Sequence, residues 1–330
     1  MAFLRINNLS DFPASLRGGA VAIGNFDGIH RGHQAVLEAA ANAAQEKNCA
    51  AIVLTFEPHP RAVFQPDVPL PRITPARMKA EIIENLGFDA VIELPFNLRF
   101  AGQSADEFVS GILLDSLGAS NVVTGFDFHF GKNRQGGPAF LMQEGDRNGF
   151  EVTLVDAYRD SEAEVISSSR IRDALLVGNL DLANDLLGYH YRISAPIIEG
   201  EKLGRTLGYP TANMAIPADT PLAHGIYAVR FMRADDTWHE GVASFGRRPT
   251  VTVDGKPLLE TYVFDFKGDL YDEHCTVAFI GYIRGEEKFD GLDPLIAQMN
   301  KDSENARKQL AEAKSLSALD SKLTFGGSGQ

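Results

Sequence analysis

Two different spacings of apolar residues divide the sequence. From residue 20 to about residue 187, short continuous apolar runs alternate with segments rich in helix-forming residues. Continuous runs of this kind are typical of strands buried on both faces of a parallel sheet. The predicted strands are residues 20–23, 51–54, 90–94, 121–124 and 151–155, and the predicted helices are residues 34–47, 76–86, 105–117 and 139–148. This part therefore predicts an α/β domain with a doubly wound parallel sheet and a ligand crevice at the carboxyl ends of its strands.

The pattern changes near residue 188. Short segments now alternate apolar and polar residues with period two and are separated by Gly and Pro, which is typical of antiparallel strands. The predicted strands are residues 191–198, 225–233, 237–245, 258–266 and 274–284. Helix formers return from residue 290 to about residue 316. We expect an antiparallel β-barrel that ends in one helix, with domains at 1–187 and 188–318 and a flexible tail at 319–330.

Composition narrows the class of protein. The 330 residues suit two domains, and 31 basic against 44 acidic residues give a net charge of -13, which disfavours binding to nucleic acid. We find no signal peptide and no apolar run long enough for a membrane span, so we expect a cytoplasmic protein without membrane or nucleic-acid partners. The two cysteines, Cys49 and Cys275, indicate neither a disulfide framework nor a Cys-rich metal site.

Residues 24–33, G-N-F-D-G-I-H-R-G-H, form the first candidate site, which we call the histidine turn. They connect a predicted strand to a predicted helix, whose first amides and positive dipole end favour an anion. Gly28 and Gly32 let a ligand approach the backbone, and His30 and His33 share one face of the first helical turn. This arrangement suits a triphosphate. The candidate triphosphate-binding residues are Gly24, Asn25, Phe26, Asp27, Gly28, His30 and His33.

Two other interpretations of the histidine turn stay open. The histidines could simply cap the helix or lie in a core. The spacing of His30 and His33 also suits zinc, although no nearby Cys or carboxylate completes a tetrahedral site.

Two further loops fall on the same predicted sheet edge. Phe56, Pro58 and His59 follow the strand at 51–54, and Asp127 and Phe128 follow the strand at 121–124. Alternation predicts that Phe126, Phe128 and Phe130 pack together while Asp127 and His129 face the other way. Residues 125–132 are not a P-loop, because five residues separate the two glycines and Asn133 stands where Ser or Thr is required.

Residues 167–172 read S-S-S-R-I-R at the start of a predicted helix. The hydroxyls of Ser167, Ser168 and Ser169 can cap the helix, and the guanidinium of Arg172 can bind phosphate through two hydrogen bonds. The alternative is a serine cap followed by solvated arginines.

The second candidate site lies in the predicted barrel. Residues 200–213 combine closely spaced glycines with two cationic side chains, which favours a loop that folds over phosphates. Thr211 and Asn213 are two apart on a strand, so their oxygens share a face, as a hard cation requires. A Gly-rich hairpin is the alternative. The candidate phosphate-binding residues are Gly200, Lys202, Gly204, Arg205, Gly208, Pro210, Thr211 and Asn213.

In the strand at 259–264, alternation places Glu260 on the same face as Tyr262 and Phe264. A carboxylate between aromatic rings can accept a proton from a hydroxyl while the rings stack on a flat ligand. The alternative is a solvent-facing glutamate.

These motifs resemble those of known enzymes. H-x-G-H at 30–33 and I-S-S-S-x-x-R at 166–172 resemble nucleotidyltransferase signatures, although Ser169 stands where Thr is usual. P-T-A-N within 200–213, the turn at 225–227, and residues 241–251 and 259–289 resemble a riboflavin kinase module, with departures at Ser244 and at 272–274. From about residue 5 to 310, the chain resembles the bacterial bifunctional riboflavin kinase/FAD synthetase (FMN adenylyltransferase) family.

The resemblance implies a Rossmann-like nucleotidyltransferase domain and a riboflavin kinase barrel. In the barrel, Thr211 and Asn213 would hold Mg²⁺ and ATP phosphate, residues 200–208 would cover the nucleotide, and Glu260 would act as base. The riboflavin-binding residues would be Glu260, Tyr262, Arg284 and Phe289. In the first domain, His30, His33, Ser167, Ser168, Ser169 and Arg172 would stabilise the triphosphate of a second ATP. FMN would be bound by Phe56, Pro58, His59, Asp127 and Phe128, with Asp127 holding the flavin or the metal. ATP, riboflavin, FMN and FAD are the implied substrates and products.

Two rival functions remain. A phosphohydrolase that uses His30, His33 and His59 predicts bound zinc, and a non-catalytic flavin-binding protein predicts bound flavin without ATP turnover. We expect a monomer or a weak homo-oligomer with small-molecule substrates.

Overall fold

The computed structural model describes residues 2–200, 208–246 and 257–326. Contacts divide the chain into two compact units, Met1–Ser168 and Ser169–Gln330. We call them the first unit and the barrel unit and describe each by itself.

The first unit is a parallel sheet with helices between its strands. Its strands are β1 (Leu4–Ile6), β2 (Ala20–Ile23), β3 (Ala51–Glu57), β4 (Ala90–Pro95), β5 (Asn121–Gly125) and β6 (Glu151–Val155). Its α-helices are α1 (Arg31–Lys47), α2 (Pro60–Phe64), α3 (Ala76–Asn85), α4 (Leu98–Ala101), α5 (Ala105–Phe108) and α6 (Pro138–Asn148), and α5 continues as π-helical turns over Val109–Ser116. The five predicted strands and four predicted helices are confirmed. The edge strand β1 and the short helices α2 and α4 were not predicted.

The strand order places the ligand crevice. The order is β1-β4-β3-β2-β5-β6, and every neighbouring pair is parallel. Chain order runs outward from β2 in one direction through β3 and β4, and in the other direction through β5 and β6. The carboxyl ends of β2 and β5 therefore form the switch point at which ligands bind in such sheets. All four residues of β2 are buried, as a central strand covered on both faces requires.

The barrel unit is a closed antiparallel barrel. Helices α7 (Ser168–Leu176) and α8 (Leu180–Leu187) precede strands β7 (Arg192–Ile198), β8 (Thr211–Ala215), β9 (Gly225–Met232), β10 (Trp238–Gly246), β11 (Leu258–Val263) and β12 (His274–Arg284). The strand order is β10-β11-β8-β7-β12-β9. Helices α9 (Leu292–Glu312) and α10 (Ala318–Thr324) follow. The predicted antiparallel barrel is confirmed.

Alternation along the strands separates the barrel interior from its outer wall. On β11, Leu259 and Thr261 are buried, whereas Glu260 and Tyr262 are half-buried. Ala306 and Leu310 of α9 pack with Ala228 and with partly buried residues that include Tyr262. Tyr262 and its neighbours on the same face therefore lie on the outer wall next to α9.

The predicted tail is wrong for residues 319–324. They belong to α10, which Ser317 caps and in which Leu319 and Leu323 are buried. The Asp320 carboxylate accepts hydrogen bonds from the backbone N–H of His190 and from its ring Nδ1, at 3.0 and 2.8 Å. These long-range contacts, with a helix too short to stand out in the sequence, explain the error. Residues 327–330 lie outside the described part of the chain.

The contact boundary between Ser168 and Ser169 lies earlier in the chain than the predicted boundary after residue 187. Helix α8 accounts for part of the difference because it packs on the barrel. Its Asn184 donates to the Phe279 carbonyl at 3.2 Å and accepts from the Tyr191 N–H at 2.8 Å.

Candidate functional site

The histidine turn lies at the carboxyl end of β2, at the switch point of the sheet. His30 is the N-cap of α1, and its Nδ1 accepts a hydrogen bond from the His33 N–H at 3.2 Å. The two imidazoles stack with their centroids 3.7 Å apart and their planes at 17°. Both rings therefore lie at the positive end of a 17-residue helix, where an anion is favoured. The prediction that the two histidines share one face is confirmed.

The hydrogen bond between the two histidines also determines which nitrogen of the His30 ring carries a proton. Because His30 Nδ1 accepts a hydrogen bond, a neutral His30 ring carries its proton on Nε2, which is the ring nitrogen that can donate. Burial, followed by the nearby His30, Lys79 and His59, lowers the pKa of His33 well below its ordinary value. His33 Nδ1 is buried and has no hydrogen-bond partner within the described ranges. An anion that enters would supply a partner and favour protonation of this ring.

The turn is tightly folded. The φ angles of Phe26 and Gly28 are 49° and 88°. For an L-residue such as Phe26 this left-handed conformation costs about 1–2 kcal/mol. The Phe26 ring is buried, and a Cβ at Gly24 would lie 2.9 Å from it, so Gly24 must be glycine. The Phe26 side chain thus serves packing.

Asp27 turns inward toward residues 72–74. Its carboxylate is 2 % exposed and accepts hydrogen bonds from the N–H groups of Ile73 and Thr74 at 3.1 and 3.0 Å. The Gly28 N–H donates to Thr74 Oγ1 at 2.8 Å. Asp27 therefore anchors the turn, a role that its position in the motif did not indicate. Its predicted contact with ATP stays a prediction.

A buried group of charges underlies the turn. The Lys79 ammonium donates to the Asn25 carbonyl at 3.1 Å and to Thr55 Oγ1 at 3.2 Å, and lies 3.5 Å from the Glu57 carboxylate. Arg72 binds both oxygens of Glu57, at 2.8 and 3.2 Å. Burial and the Arg72 charge lower the pKa of Lys79. Burial alone would raise the pKa of Glu57, but Arg72 and Lys79 outweigh it and lower the pKa.

Sequence reasoning did not identify Lys79, Arg72 or Glu57 as part of the site. One signal was available for Lys79, which stands three and four residues before Ile82 and Ile83 on the buried face of α3. A lysine on an apolar helical face is a sign of a buried partner.

The loops after β3 and β5 agree with the sequence-based prediction to different extents, and the loop after β3 agrees in position. His59 caps α2 by accepting from the Arg61 N–H at 3.1 Å, Phe56 is buried against Phe96, and Pro58 is exposed. Phe56 lies within β3 near its carboxyl end, and Pro58 and His59 follow that end.

The alternation predicted for residues 126–130 is confirmed except at Phe126. The rings of Phe128 and Phe130 stack with centroids 5.6 Å apart, and Asp127 and His129 are exposed, but Phe126 is 50 % exposed and does not join the other two rings. Strand β5 ends at Gly125, and the Phe128 N–H bonds back to the Gly125 carbonyl at 3.1 Å. Period-two reasoning fails at Phe126 because the chain turns there instead of continuing as a strand.

Ser168 of the serine motif contacts the histidine turn. Ser168 Oγ donates to the Asp27 carbonyl at 2.8 Å. Ser167 is half-buried, Ser169 is exposed, and Arg172 is buried within α7. The contact of Ser168 supports the shared site for the first two motifs, whereas the roles of Ser169 and Arg172 stay predictions.

In the barrel unit, strand register brings four predicted residues together. Asn213 of β8 stands opposite Glu260 of β11, and Thr211 stands opposite Tyr262. Directly opposite residues of an antiparallel pair project their side chains from the same face. We call these four residues the strand-pair site. They lie on the outer wall of the barrel, not in its interior, which Leu259 and Thr261 help to fill.

Asn213 has an unused acceptor. Its Nδ2 donates to the Thr211 carbonyl at 3.1 Å, while its buried Oδ1 has no hydrogen-bond partner within the described ranges. A Cβ at Gly200 would lie 2.5 Å from Asn213 Nδ2, so Gly200 leaves the space that Asn213 occupies. A buried amide oxygen beside a hydroxyl and a carboxylate is the donor set that a hard cation such as Mg²⁺ prefers. These residues therefore fit the ion.

The remaining barrel predictions fall around this site. Tyr262 packs edge-on against Tyr209, whose hydroxyl bonds Asn300 of α9. The Arg284 guanidinium donates to both oxygens of Asp302, at 3.0 and 2.6 Å, and lies 5.8 Å from the Phe289 ring centroid. Arg284 therefore ties β12 to α9, and its contact with a flavin stays a prediction.

Several predicted loop residues have less structural detail. Gly208 and Pro210 are exposed. Lys202, Gly204 and Arg205 lie outside the described residues, as do residues 247–251 of the segment that begins at Gly241.

Comparison with known proteins assigns each half separately. A family model described as FAD synthetase matches residues 12–170, and one described as riboflavin kinase matches residues 187–310. The bifunctional riboflavin kinase/FMN adenylyltransferase of Pseudomonas fluorescens is 40 % identical over 302 residues, which cover 92 % of this chain and 96 % of the relative. The enzyme of the same name from Escherichia coli K12 is 37 % identical over 303 residues, with the same coverage.

A solved structure extends the likeness to the fold. The crystal structure described as a macrolide-efflux protein from Streptococcus pneumoniae is 31 % identical and has a TM-score of 0.80, covering 93 % of this chain and 99 % of that one. Within the described part of this chain, no helix has both the length and the apolar character needed to cross a membrane.

Proposed function

The chain belongs to the family of bifunctional riboflavin kinase/FMN adenylyltransferases, and we propose that it makes FMN in the barrel unit and FAD in the first unit. In the first reaction, riboflavin and ATP give FMN and ADP. In the second, FMN and another ATP give FAD and pyrophosphate. The observation that supports this division most directly is that each family model covers a region with its own phosphate-directed array of side chains.

In the kinase reaction, we assign the base to Glu260. Its carboxylate accepts the proton of the ribityl 5′-hydroxyl as the hydroxyl oxygen attacks the γ-phosphorus of ATP. Thr211 and Asn213 hold Mg²⁺ and the phosphates, and the unpaired Asn213 Oδ1 supports this role. When bound, Mg²⁺ neutralises charge on the ATP phosphates. Tyr262, Arg284 and Phe289 are assigned to the flavin side, and residues 200–208 with Pro210 to the nucleotide side.

In the adenylyltransferase reaction, the phosphate of FMN attacks the α-phosphorus of ATP and pyrophosphate leaves. The attacking phosphate is already an anionic nucleophile, so catalysis needs positioning and charge stabilisation and no covalent intermediate. His30 donates through Nε2, and His33 offers its unpaired Nδ1, with both rings at the positive end of α1. We assign Ser167, Ser168, Ser169 and Arg172 to the triphosphate, and Phe56, Pro58, His59, Asp127 and Phe128 to FMN.

Two rival functions make different predictions. In the zinc phosphohydrolase, His30 and His33 would direct nitrogens at one ion, but their rings stack and His30 Nδ1 is occupied by the His33 N–H. Elemental analysis of the purified protein would reveal zinc. A flavin carrier would be yellow and would not consume ATP.

One assay tests the proposal. We would supply the purified chain with riboflavin, ATP and Mg²⁺ and separate FMN and FAD chromatographically. The double variant His30→Ala/His33→Ala is expected to make FMN but little FAD. Glu260→Gln is expected to make FAD only from supplied FMN. His239→Ala and Glu240→Gln, both on β10, are the matched controls and should retain both reactions. Parallel loss of both products in either test variant would contradict two separate sites.

The remaining expectations follow from this function. The substrates are small molecules, and the expected compartment is the cytoplasm, where ATP is supplied. A monomer or weak homo-oligomer is expected, and no nucleic-acid partner.

A further inference from the structure

Lys79 is the one lysine of the described ranges whose side chain is fully buried. Removing an ammonium from water is costly unless the protein supplies partners. Lys79 has three, namely the Asn25 carbonyl, Thr55 Oγ1 and the Glu57 carboxylate. None of the reaction steps assigned above uses this residue. Because burying this charge is costly and Lys79 contacts the histidine turn, we expect the ammonium to have a function at that turn.

Two donors meet at the carbonyl oxygen of Asn25. Lys79 Nζ and Thr55 Oγ1 each lie 3.1 Å from it, and Lys79 also donates to Thr55 Oγ1 at 3.2 Å. Lys79 comes from α3 and Thr55 from β3, so two rigid elements hold one peptide group of the turn.

The orientation of this carbonyl decides the orientation of the next amide. In a trans peptide the C=O and the following N–H point in opposite directions. When the Asn25 oxygen points toward Lys79, the Phe26 N–H points away from Lys79 and Thr55. Within the described ranges, the Phe26 N–H donates to no protein group. Phe26 also has the strained φ of 49°, which persists only if its surroundings hold it.

We propose that Lys79, together with Thr55, holds the Asn25–Phe26 peptide so that the Phe26 N–H is a preset donor to a phosphate of ATP during adenylyl transfer. Lys79 is a positioning residue, because its own side chain is enclosed by protein and acts through the peptide. This inference rests on the adenylyltransferase function proposed above. It extends that function to residues outside the histidine turn and the serine motif.

The buried charges around Lys79 are consistent with this role. Glu57 balances the ammonium, and Arg72 holds Glu57 in place through two hydrogen bonds. The ammonium also adds positive charge on the inner side of a turn that receives an anion. A preset donor needs no reorganisation when charge develops, which is the source of its catalytic effect.

The test compares Lys79→Met with Lys47→Met. Both replace a lysine of the first unit by an apolar chain of similar length, and Lys47, the last residue of α1, pairs with Glu151 at 2.9 Å at the end of the helix far from the histidine turn. For Lys79→Met we expect kcat for FAD formation from FMN to fall about 100-fold, with KM for ATP within about threefold. Lys47→Met should stay within about twofold of the parent protein. The riboflavin kinase activity of the same chain is the internal control for folding.

Thr55 supplies a second and milder test. Thr55→Val removes the hydroxyl at nearly constant volume and should lower kcat about tenfold, whereas Thr55→Ser keeps the hydroxyl and should restore it. The double variant Lys79→Met/Thr55→Val should be no worse than Lys79→Met alone, because both side chains act on one carbonyl. If Lys79→Met does not fold, the Thr55 pair decides the question.

Three results would overturn the inference: equal kcat losses for Lys79→Met and Lys47→Met, equal losses for Thr55→Val and Thr55→Ser, or additive losses in the double variant. Failure of the proposed function looks different, since the parent chain itself would then form no FAD from FMN and ATP. A parent chain that forms FAD beside a fully active Lys79→Met variant removes only the role of Lys79.

Discussion

The histidine turn and the strand-pair site both present polar groups to phosphates, but they are built differently. The histidine turn uses backbone amides and imidazoles on a strained loop, held by Asp27, Lys79 and Thr55 through contacts from other elements. The strand-pair site uses side chains on two neighbouring strands, and the register alone places Asn213 beside Glu260. The first site therefore depends on distant anchors, and the second on local alternation and pairing.

The difference predicts which substitutions should impair the activity of each site. In the strand-pair site, adjacent residues of one strand point to opposite faces of the barrel wall. A substitution on the outer face should therefore lower kinase activity, whereas one at the adjacent inner position should not. In the histidine turn, residues far from the ligand should matter because they hold the backbone.

The sharpest test of the register concerns Asn213 and Thr261. Asn213→Leu removes the unpaired Oδ1 from the outer wall and should lower riboflavin kinase kcat/KM by about 100- to 1,000-fold. Thr261→Val is the control, because Thr261 pairs with Ala212 on the inner face and its buried Oγ1 has no partner in the described part of the chain. It should leave kinase activity within about twofold. Comparable kinase losses would mean that the register does not define the site.

The corresponding test of the histidine turn is His33→Ala. It removes the ring whose Nδ1 is unpaired and whose face stacks on His30. We expect FAD formation to fall about 100-fold, since one charge-stabilising group is lost, while riboflavin phosphorylation stays unchanged. Steady-state rates for the two reactions on the same preparation provide the measurement. A fall in kinase activity of the same size would argue against independent sites.

A smaller effect is expected at Gly200. Its Cβ would lie 2.5 Å from Asn213 Nδ2, so Gly200→Ala should displace Asn213 and lower kinase kcat/KM about tenfold. Gly111→Ala is the matched control, because a Cβ there meets nothing within 4 Å. Kinase kinetics at saturating Mg²⁺ check this prediction, and an unaffected Gly200→Ala variant would show that Asn213 can shift without loss.

The smallest expected effect is a proton linkage in the histidine turn. The pKa of His33 is lowered by burial in the free protein and should rise when a phosphate approaches. ATP binding should therefore take up a proton, so its affinity should increase by a few-fold as pH falls through the raised pKa of His33 in the complex. Calorimetry in two buffers of different ionisation enthalpy measures the uptake. The His33→Ala variant should take up less, and equal uptake would exclude His33 as its source.

The same pKa shift predicts a stability effect of known sign. The unfolded chain binds a proton at His33 near its ordinary pKa, whereas the folded chain resists it. The stability of the first unit should thus decrease as pH falls below about 6.5, and His33→Ala should weaken that dependence. Thermal unfolding at several pH values measures it.

The sequence by itself determined the two fold classes, most element bounds and both motif clusters, because these depend on short-range periodicity. Residues 20–23 and 51–54 are continuous apolar runs, and they form the central parallel strands. Thr211, Asn213, Glu260 and Tyr262 could be placed on shared strand faces because side chains alternate with period two.

Only the tertiary structure decided which groups anchor the histidine turn and that residues 318–324 form a packed helix. Asp27 bonds Ile73 across 46 positions, Lys79 bonds Asn25 across 54, and His190 bonds Asp320 across 130. Local propensity contains no information about such partners. Their selection depends on which buried polar group lacks a partner once the sheet, the helices and the barrel have packed.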